Sequence, residues 1–561
     1  MATTTVSIGS NQSIATLTPN LCNSLTPSSD GWEVGFTAGS IPAGVSVGDI
    51  YVAQDEASSF ATFTFLVTEI NEARTRCNLK YLTCDDGGMG SCSSTEPCSI
   101  YNAEFSVVAG TFKRAFSTIT LFEAMVDDAS PTYWGSSDDV VGECHGDSDF
   151  TDTRVYFSDK QSLASVKLTA NSADRHDGTA SGTGAGKVLI RPTVGTPTNQ
   201  GIIESNIDNF ILEWVEIDFD ALDSTTSHKA VVLAGTNDDN IIRNNLIHDK
   251  YGNPGATGPN MIIVAGGVTQ LASDTLSVLN NIIYNVVETV GDHAAAINLN
   301  QWDGISYIYN NTVYNIVADD SGNPKYAYGI LFGTPTSATA NVKNNLVAKL
   351  ITETATQERA YYKGSSGSTA NTANNLSDDT TNATYDAEDM GQSLNDSSAL
   401  IGKTEAQIDF VSTGVGTEDL HIDTGSVCRE AGVDLGTTNG VNFDIDNVDR
   451  DATGVTWDIG ADQASEAGGA TITGAVSLTA SGTVSVGGLV EKRAATSLTG
   501  NATVSVGGLV EKRAATSLTG NATISVGGLV QKKAATSLTG NATVSVGGLV
   551  QKKAATSLTG N

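Results

Sequence analysis

The chain contains 561 residues, carries a formal net charge of −33, and combines 58 glycines with only 6% aromatic residues. A chain this acidic repels nucleic acid and anionic lipid, which excludes nucleic acid as an expected partner. No stretch of about 18 apolar residues occurs, so membrane insertion is not expected either. The length predicts two or three domains.

Residues 1–105 predict a small N-terminal β-domain, because short strand-like segments follow one another there. These segments are residues 48–53, 61–67 and 77–82. Five of the 7 cysteines lie in the same region, at spacings that fit no zinc motif. Disulfide bonds and small buried side chains remain alternative interpretations of these cysteines.

Residues 117–128 form the best helix candidate in the chain. Thr118 or Ser117 can cap its N-terminus, and four apolar residues recur at helical spacing: Ile119, Phe122, Met125 and Val126. A short amphipathic helix at this position would cover the open first coil of a β-helix, where strand edges are otherwise unpaired. An ordinary connecting helix is the alternative.

A repeated pattern between residues 239 and 347 decides the predicted fold. Each copy has an asparagine pair, with one aliphatic residue two positions before the pair and another two positions after it. The copies are residues 242–247, 278–283, 308–313 and 342–347, and successive pairs are 36, 30 and 34 residues apart. A second strand recurs between them, at residues 230–233, 261–264, 296–299 and 329–332.

A unit of this kind cannot bury its apolar face alone, so the copies are expected to stack as successive coils. Each asparagine pair would mark a bend, because asparagine tolerates the left-handed backbone conformation and can hydrogen-bond along the stack. The pattern predicts an all-β protein with a parallel β-helix over residues 106–463. A β-sandwich fits less well, because its strands rarely repeat two motifs in fixed order. One stacked core column is expected to contain Ile242, Val278, Ile308 and Val342.

Residues 464–561 predict a C-terminal array of 20-residue β repeats. Residues 501–520, 521–540 and 541–560 are nearly identical, and 481–500 is a diverged copy. Side-chain identity cannot set the register here, because every copy offers its neighbours the same partner. We therefore expect repeat-on-repeat stacking, completed by other copies of the chain in a homotrimer. The tail would carry a basic ladder formed by Lys492-Arg493, Lys512-Arg513, Lys532-Lys533 and Lys552-Lys553.

Trp214, Glu216, Asp218 and Asp220 are the best candidates for glycan binding. Polysaccharide cleavage on a β-helix needs two carboxylates about 5–10 Å apart, or calcium with a basic residue. If this segment were one extended strand, the three carboxylates would share a face with Trp214, which could stack on a sugar ring. A solvated outer face of an acidic protein is the plainer interpretation, and we therefore predict no catalytic residues.

A second group of carboxylates, Asp444, Asp446, Asp449 and Asp451, contains the densest candidate ligands for calcium. Residues 449–454 partly imitate a calcium-binding loop, but Gly460 stands where the bidentate glutamate would be. Calcium is therefore the one cofactor that the sequence leaves open. No nucleophile elbow, phosphate-binding loop or metal-binding histidine pair occurs.

Several short motifs resemble those of β-helix proteins encoded by tailed bacteriophages. They lie at residues 1–5, 116–119, 140–144, 168–170 and 175–180. Residues 425–432, 444–446 and 458–463 resemble a closing pattern that phage and secreted bacterial β-helix proteins share. The resemblance covers residues 106–463 and implies a right-handed parallel β-helix of the pectate-lyase-like kind. It further implies a spike, a fibre, or a carbohydrate-binding or carbohydrate-cleaving protein.

Three functions follow as expectations. The first is a non-enzymatic structural or adhesive protein at the virion surface, such as a phage spike, fibre or surface decoration, with other virion proteins and a host surface glycan as partners. The second is a tailspike-like polysaccharide depolymerase, either a hydrolase or a lyase. The third is an extracellular bacterial surface adhesin. The first five residues do not begin a Sec-type signal, which favours release by cell lysis.

Overall fold

A computed structural model shows two compact units, Met1–Gln463 and Ala464–Asn561. It describes residues 3–10, 15–17, 22–28, 31–36, 41, 45–55, 62–70, 76–85, 107–128, 134, 137–181, 186–193, 200–221, 228–234, 238–251, 260–266, 271–288, 293–318, 325–333, 337–353, 357–364, 368–378, 398–451 and 456–464, and the tail strands within 475–559. Over these residues, no helix has the length and apolar character needed to cross a membrane.

Three parallel sheets form a β-solenoid in the first unit. Sheet 1 has nine strands: Thr3–Ile8, Asp139–Cys144, Ser165–Ala170, Phe210–Glu213, Asn240–Arg243, Thr275–Leu279, Ile305–Tyr309, Thr339–Lys343 and Thr369–Ala373. Sheet 2 has seven: Leu189–Ile190, Glu216–Asp218, Leu246–Tyr251, Ile282–Glu288, Thr312–Ala318, Leu346–Thr352 and Leu376–Ser377. Sheet 3 has seven: Val155–Phe157, Gly201–Ser205, Lys229–Leu233, Asn260–Gly266, His293–Gln301, Tyr326–Phe332 and Glu358–Lys363. The predicted parallel β-helix is confirmed.

The asparagine pairs form the bend between sheets 1 and 2, as their spacing predicted. The first asparagine of each pair adopts the left-handed backbone conformation, with φ between 51° and 55° in an outer row formed by Asn244, Asn280, Asn310, Asn344 and Asn374. The second asparagines form a buried inner ladder: Asn245, Asn281, Asn311, Asn345 and Asn375. In this ladder each side-chain amide donates to the side-chain oxygen of the next coil, at 2.9–3.0 Å.

The solenoid core consists of aliphatic columns that repeat from coil to coil. Ile242 pairs with Val278, Val278 with Ile308, and Ile308 with Val342. All four side chains have 0% exposure, so the predicted register is confirmed. Burying one such side chain contributes about 1.5–3 kcal/mol, and the columns therefore supply the main driving force for stacking.

Helix α1, Ile119–Val126, packs on the first coil. The Thr118 hydroxyl caps it by accepting a hydrogen bond from the Leu121 amide at 3.1 Å. Its apolar face joins the solenoid core, and the Phe122 ring lies 6.1 Å from that of Phe157. The helix predicted at residues 117–128 is therefore present and covers core side chains of the first coil.

The structure places the two ends of the predicted N-terminal domain differently from the boundary at residue 105. Thr3–Ile8 lies in sheet 1 and pairs in parallel with Asp139–Cys144. Its Val6 and Ile8 side chains complete the core of the first coil, which explains why this strand belongs to sheet 1 and not to the N-terminal sheet. Val107–Lys113, beyond residue 105, belongs instead to the antiparallel sheet of the N-terminal region.

That antiparallel sheet has seven strands, in the spatial order Ala15–Leu17, Val107–Lys113, Ile50–Asp55, Thr62–Ile70, Arg76–Asp85, Gly31–Phe36 and Cys22–Ser28. Arg114, directly after its strand, is bound to Asp49 at 3.1 Å and to Asp147 at 2.9 Å. The pair with Asp49 lies within the region of the antiparallel sheet, and the pair with Asp147 connects that sheet to the first coil. Cys144 and Cys428 are buried free thiols, and pairing of the other five cysteines lies outside the described side chains.

The C-terminal segment of the first unit, residues 398–463, folds back over the bend between sheets 1 and 2. It contains helix α2 (Glu405–Ile408), the antiparallel strands Phe410–Ser412 and Asp419–Ile422, and a 3-10 turn at Thr438–Gly440. The outer asparagines donate to its backbone carbonyls. Asn374 donates to Ala431 at 2.8 Å, and Asn244 donates to Asp444 at 2.6 Å.

The second unit is a regular stack of the 20-residue repeats. Each strand pairs in parallel with the equivalent strand of the next repeat, for example Thr503 with Thr523. One sheet contains Ala475–Leu478, Ala494–Thr499, Ala514–Thr519, Ala534–Thr539 and Ala554–Thr559. A second sheet contains Gly482–Gly487, Ala502–Gly507, Ala522–Gly527 and Ala542–Gly547. A third contains Val490–Glu491, Val510–Glu511, Val530–Gln531 and Val550–Gln551. Repeat-on-repeat stacking is confirmed, whereas the basic ladder lies outside the described residues.

Candidate functional site

A dense group of ionisable side chains lies on the outer face of sheet 2. Along Glu216–Asp218 the strand alternation points Ile217 into the core, and Glu216 and Asp218 away from it. The parallel register then places Asp218 beside His248, and His248 beside Tyr284 of the following coil. We call Glu216, Asp218, His248, Asp249, Arg191 and Tyr284 the sheet 2 cluster.

His248 joins two carboxylates of the sheet 2 cluster. Its Nε2 lies 2.9 Å from Glu216 Oε1, and its Nδ1 lies 2.9 Å from Asp249 Oδ2. Burial alone would lower the pKa of His248, but the hydrogen bonds to Asp249 and Glu216 outweigh it and raise that pKa to about 9. The imidazole is therefore protonated at neutral pH when these are its only partners.

Asp218 lies between His248 and a cation from the preceding coil. Arg191 contacts Asp218 Oδ2 at 2.9 Å and Asp220 Oδ2 at 3.3 Å. Burial raises the pKa of Asp218, despite the opposing charges of His248 and Arg191. The Asp218 side chain is 4% exposed and that of Asp220 is 64% exposed, so the cluster reaches the surface at Asp220.

Asp218 and Asp249 form a close carboxylate pair. They and His248 each offer one ligand atom, and these atoms lie within 4.8 Å of one another. Burial acts to raise the pKa of Asp249, but the hydrogen bond from His248 overcomes it and lowers that pKa. The two carboxyl groups are thus shifted in opposite directions, an arrangement that can separate a proton donor from an ionised partner.

The Tyr284 ring stacks on the His248 ring, with centroids 5.1 Å apart and an interplanar angle of 7°. Its hydroxyl group is buried and makes no hydrogen bond, and neither does Glu216 Oε2. Burial, reinforced by the charges of Asp249 and Glu418, raises the pKa of Tyr284 far above its ordinary value. The sheet 2 cluster therefore contains two buried oxygen atoms without hydrogen-bond partners.

The sheet 2 cluster is covered by other parts of the first unit. The Ser181 amide donates to Glu216 Oε1 at 2.8 Å, and Thr179 pairs with Asp419 of the C-terminal segment. Asn285 donates to Glu418 of the same segment at 2.9 Å. As a result, Glu216 is 0% exposed, and the cluster lies beneath this cover instead of in an open groove.

Trp214 does not share an extended strand with Glu216. It has φ 61° and stands at the bend, where later coils have the first asparagine of a pair. Its amide donates to the Asn244 carbonyl at 3.1 Å, and its side chain is 4% exposed under Arg175, whose guanidinium lies 4.5 Å from the ring. The expected sugar-stacking face is thus buried, because the bend turns Trp214 away from the Glu216–Asp218 strand.

His176 is structural in its contacts. Its Nε2 lies 3.0 Å from the Asn244 carbonyl oxygen, and the ring lies 6.1 Å from that of Trp214. Burial lowers the pKa of His176 to about 4, so the ring is neutral at pH 7. This agrees with a role in holding the residue 175–180 loop against the bend.

The carboxylates proposed for calcium accept hydrogen bonds within the turns of the C-terminal segment. Asp444 accepts hydrogen bonds from the amides of Val448 and Gln463, at 2.6 Å and 3.0 Å. Asp449 accepts from the Asn442 side chain at 2.8 Å, and Asp451 accepts from the Trp457 indole at 3.2 Å.

Asp446 departs from the other three carboxylates. It lies with His421 and Asp462 in a different group whose ligand atoms are within 4.8 Å of one another. The Asp446 amide donates to Asp444 Oδ1 at 2.9 Å, and the Asp451 amide donates to Asp449 Oδ1 at 3.0 Å. Calcium binding by Asp444, Asp446, Asp449 and Asp451 stays a prediction.

His248 and Asp249 were missed by the sequence analysis. The repeat spacing was the available signal. Trp214 precedes Asn244 by one coil of 30 residues, and the same offset pairs Asp218 with His248. Trp214-Val215 replaces an asparagine pair, which hid this coil from the pattern. Asp249 has φ 59° at a second bend, and the same position is Asn285 and Asn315 in later coils.

No protein-family model matches the chain. No curated protein matches it either. Among solved structures, the chain is similar to a mutant of the PL6 family alginate lyase AlyGC, with 11% identity and a TM-score of 0.12. That match covers 76% of this chain and 74% of the lyase, and at so low a TM-score it carries no argument about fold or activity.

Proposed function

We propose that this chain is a non-enzymatic structural or adhesive protein of a virion surface, with the solenoid as its shaft. The observation that supports this function best is one continuous core, which extends from Val6 in the first coil to Tyr361 near the last. Parallel strands in fixed register make such a stack stiff along its axis. The protein would use this stiffness to present or support other surfaces.

Coverage of the sheet 2 cluster supports a non-enzymatic role. Trp214, Glu216 and Asp218 are buried beneath chain segments of the same unit. A polysaccharide needs an open groove to place a glycosidic bond between two carboxylates. The carboxylates of the sheet 2 cluster are thus occupied by internal contacts.

The virion location and the partners rest on the sequence resemblance. The motifs at residues 116–119 and 175–180 resemble those of phage β-helix proteins. The partners proposed on this basis are other virion proteins and a host surface glycan. A homotrimer completed by the repeat tail is part of the same proposal.

Electron microscopy of purified particles, with and without the protein, tests the proposed function. We expect the protein to copurify with virions and to account for a projection that is lost when its gene is deleted. Antibody labelling would identify that projection. Recovery of the protein only on the surface of uninfected bacteria would contradict this proposal and favour the adhesin.

A polysaccharide depolymerase is the second candidate, and the Asp218–Asp249 pair is the observation in its favour. The oxygen atoms of the pair lie within 4.8 Å, close to the separation of about 5 Å found in retaining glycosidases. Opposite pKa shifts would suit one carboxyl to donate a proton and the other to act as nucleophile. Catalysis would require the covering segments to move.

Incubation with host capsular polysaccharide separates the two candidates. The structural proposal predicts no new reducing ends and no unsaturated sugars. Cleavage that is lost in Asp218→Asn and Asp249→Asn, but kept in Asp446→Asn, would establish the depolymerase instead.

A further inference from the structure

We propose that the sheet 2 cluster binds one divalent transition-metal ion, such as Zn²⁺, through Asp218, His248 and Asp249. Each of these residues offers one ligand atom, and the three atoms lie within 4.8 Å of one another. The site is independent of the proposed shaft function. It is also separate from the calcium group expected at Asp444, Asp446, Asp449 and Asp451.

The charges of the sheet 2 cluster favour a divalent cation. Four carboxylates meet here. Asn285 donates a hydrogen bond to Asp249 at 2.8 Å and another to Glu418 of the C-terminal segment at 2.9 Å, which brings these two carboxylates together. The other two carboxylates are Glu216 and Asp218, and the cation is Arg191, which Asp220 shares. With His248 as the neutral imidazole that a metal ligand must be, these groups leave an excess of negative charge. A buried excess of this kind is costly unless a cation neutralises it.

A buried hydroxyl group provides independent support for a missing partner. The Tyr284 hydroxyl makes no hydrogen bond, although Tyr284 is 1% exposed and its ring stacks on His248. Buried polar atoms in folded proteins nearly always have partners. A water bound to a metal ion would give this hydroxyl group one.

The contacts of His248 match those of a metal-binding histidine. Metal-bound imidazoles usually hold their second nitrogen against a carboxylate, which fixes the ring orientation. In this structure Nε2 faces Glu216 Oε1 at 2.9 Å, and Nδ1 faces Asp249 Oδ2 at 2.9 Å. The Nδ1 side, toward Asp249, is therefore the side for the metal.

One imidazole with two carboxylates indicates the class of metal. Ca²⁺ and Mg²⁺ prefer oxygen ligands alone, whereas Zn²⁺ and its neighbours combine imidazole with carboxylate. Three protein ligands are enough for Zn²⁺, with water in the fourth position. The ion would connect the coil of Asp218 to the coil of His248 and Asp249.

Calorimetric titration of the EDTA-treated full-length chain with ZnCl₂ tests this site. We expect saturable micromolar binding, with one equivalent that is lost in His248→Gln and in Asp249→Asn. Asp220→Asn is the matched control, because it removes an exposed carboxylate two residues from Asp218 and should keep that equivalent. If His248→Gln fails to fold, Asp218→Asn replaces it, read as loss of the Zn²⁺-induced rise in melting temperature.

Three results would overturn the metal site. The first is the absence of saturable Zn²⁺ binding in the wild type. The second is full retention of Zn²⁺ binding in folded His248→Gln, which would place the metal elsewhere. The third is an equal loss of Zn²⁺ binding in Asp220→Asn and Asp249→Asn, which would indicate that Zn²⁺ is attracted by the overall negative charge of the protein.

Discussion

The inner ladder shows how single asparagines hold the solenoid together. The Asn311 side chain donates to Asn345 Oδ1 at 2.9 Å and to the Val278 carbonyl at 2.9 Å. Its own Oδ1 accepts from the Asn281 backbone and side chain, at 3.1 Å and 3.0 Å. One amide group thus serves three successive coils, and no other neutral side chain of this size offers both two donors and an acceptor.

Replacing Asn311 with alanine should destabilise the first unit by at least about 2 kcal/mol. The substitution leaves buried groups of Asn281 and Val278 unpaired, at about 1–3 kcal/mol for each. Urea unfolding can be followed by the fluorescence of the 5 tryptophans, all of which lie before residue 464. Asn371→Ala, at an exposed position of sheet 1, should change the midpoint little. Equal midpoints for the two variants would contradict the importance of the ladder.

His176 should make the first unit less stable in acid. Its pKa is about 4 in the folded state and about 6.5 when unfolded, so the unfolded chain gains a proton first as the pH falls. Its contribution is present above pH 6.5 and is lost as the pH falls toward 4, by about 3 kcal/mol at about 1.4 kcal/mol per pKa unit. The urea midpoint should therefore fall further between pH 7 and pH 4 in the wild type than in His176→Gln. Parallel losses would refute this assignment.

At the scale of strands and bends, the sequence predicted most of the solenoid. Asparagine is the residue that both adopts φ near 55° and donates along a stack, so each Asn-Asn pair identifies a bend. The same reasoning failed at Trp214-Val215, since tryptophan has no propensity for that conformation. There the bend is imposed by the coils above and below, which the local sequence does not encode.

The cover over the sheet 2 cluster was also beyond prediction. Contacts of the C-terminal segment join residues far apart in the chain, both over this cluster, as between Asn285 and Glu418, and at the adjacent bend, as between Asn244 and Asp444. The Asn244 side chain binds a backbone carbonyl, which every residue possesses. The identity of the partner residue therefore gives no sequence signal for this contact. The acidic residues of the closing pattern were visible, but their individual hydrogen bonds depend on the path of the backbone.

Ile308→Asp should cost several kcal/mol, because it places an unpaired charge in the core column between Val278 and Val342. Ile351→Asp is the matched control, since Ile351 is 38% exposed in sheet 2. Thermal melting should show a large shift for the first variant and a small one for the second. An unchanged melting curve for Ile308→Asp would contradict the register.

At the scale of the whole molecule, the C-terminal segment runs along the solenoid and binds successive coils; we call it the strap. Its carbonyls meet the outer asparagines in reverse order, from Asn374 at Ala431 to Asn244 at Asp444. A single stretch of chain therefore touches successive coils at the same bend. Coils in the middle of the stack are held both by their neighbours and by this strap.

The repeat tail is expected to drive assembly into a homotrimer. Light scattering of the full chain should give about three times the monomer mass, and a version ending at Gln463 should give the monomer mass. The closed symmetry of a trimer would cover strand edges that a single tail leaves open. Monomers for both proteins at micromolar concentration and moderate salt would refute the trimer.

The tail has a consequence for how this gene can vary. Its strands advance by one whole repeat at every step, as when Ala514 pairs with Ala534 and Ala534 with Ala554. Unequal recombination between the near-identical coding copies would add or remove 20 residues at a time. Every remaining strand would keep an equivalent partner, so tail length can drift between related isolates without any other substitution.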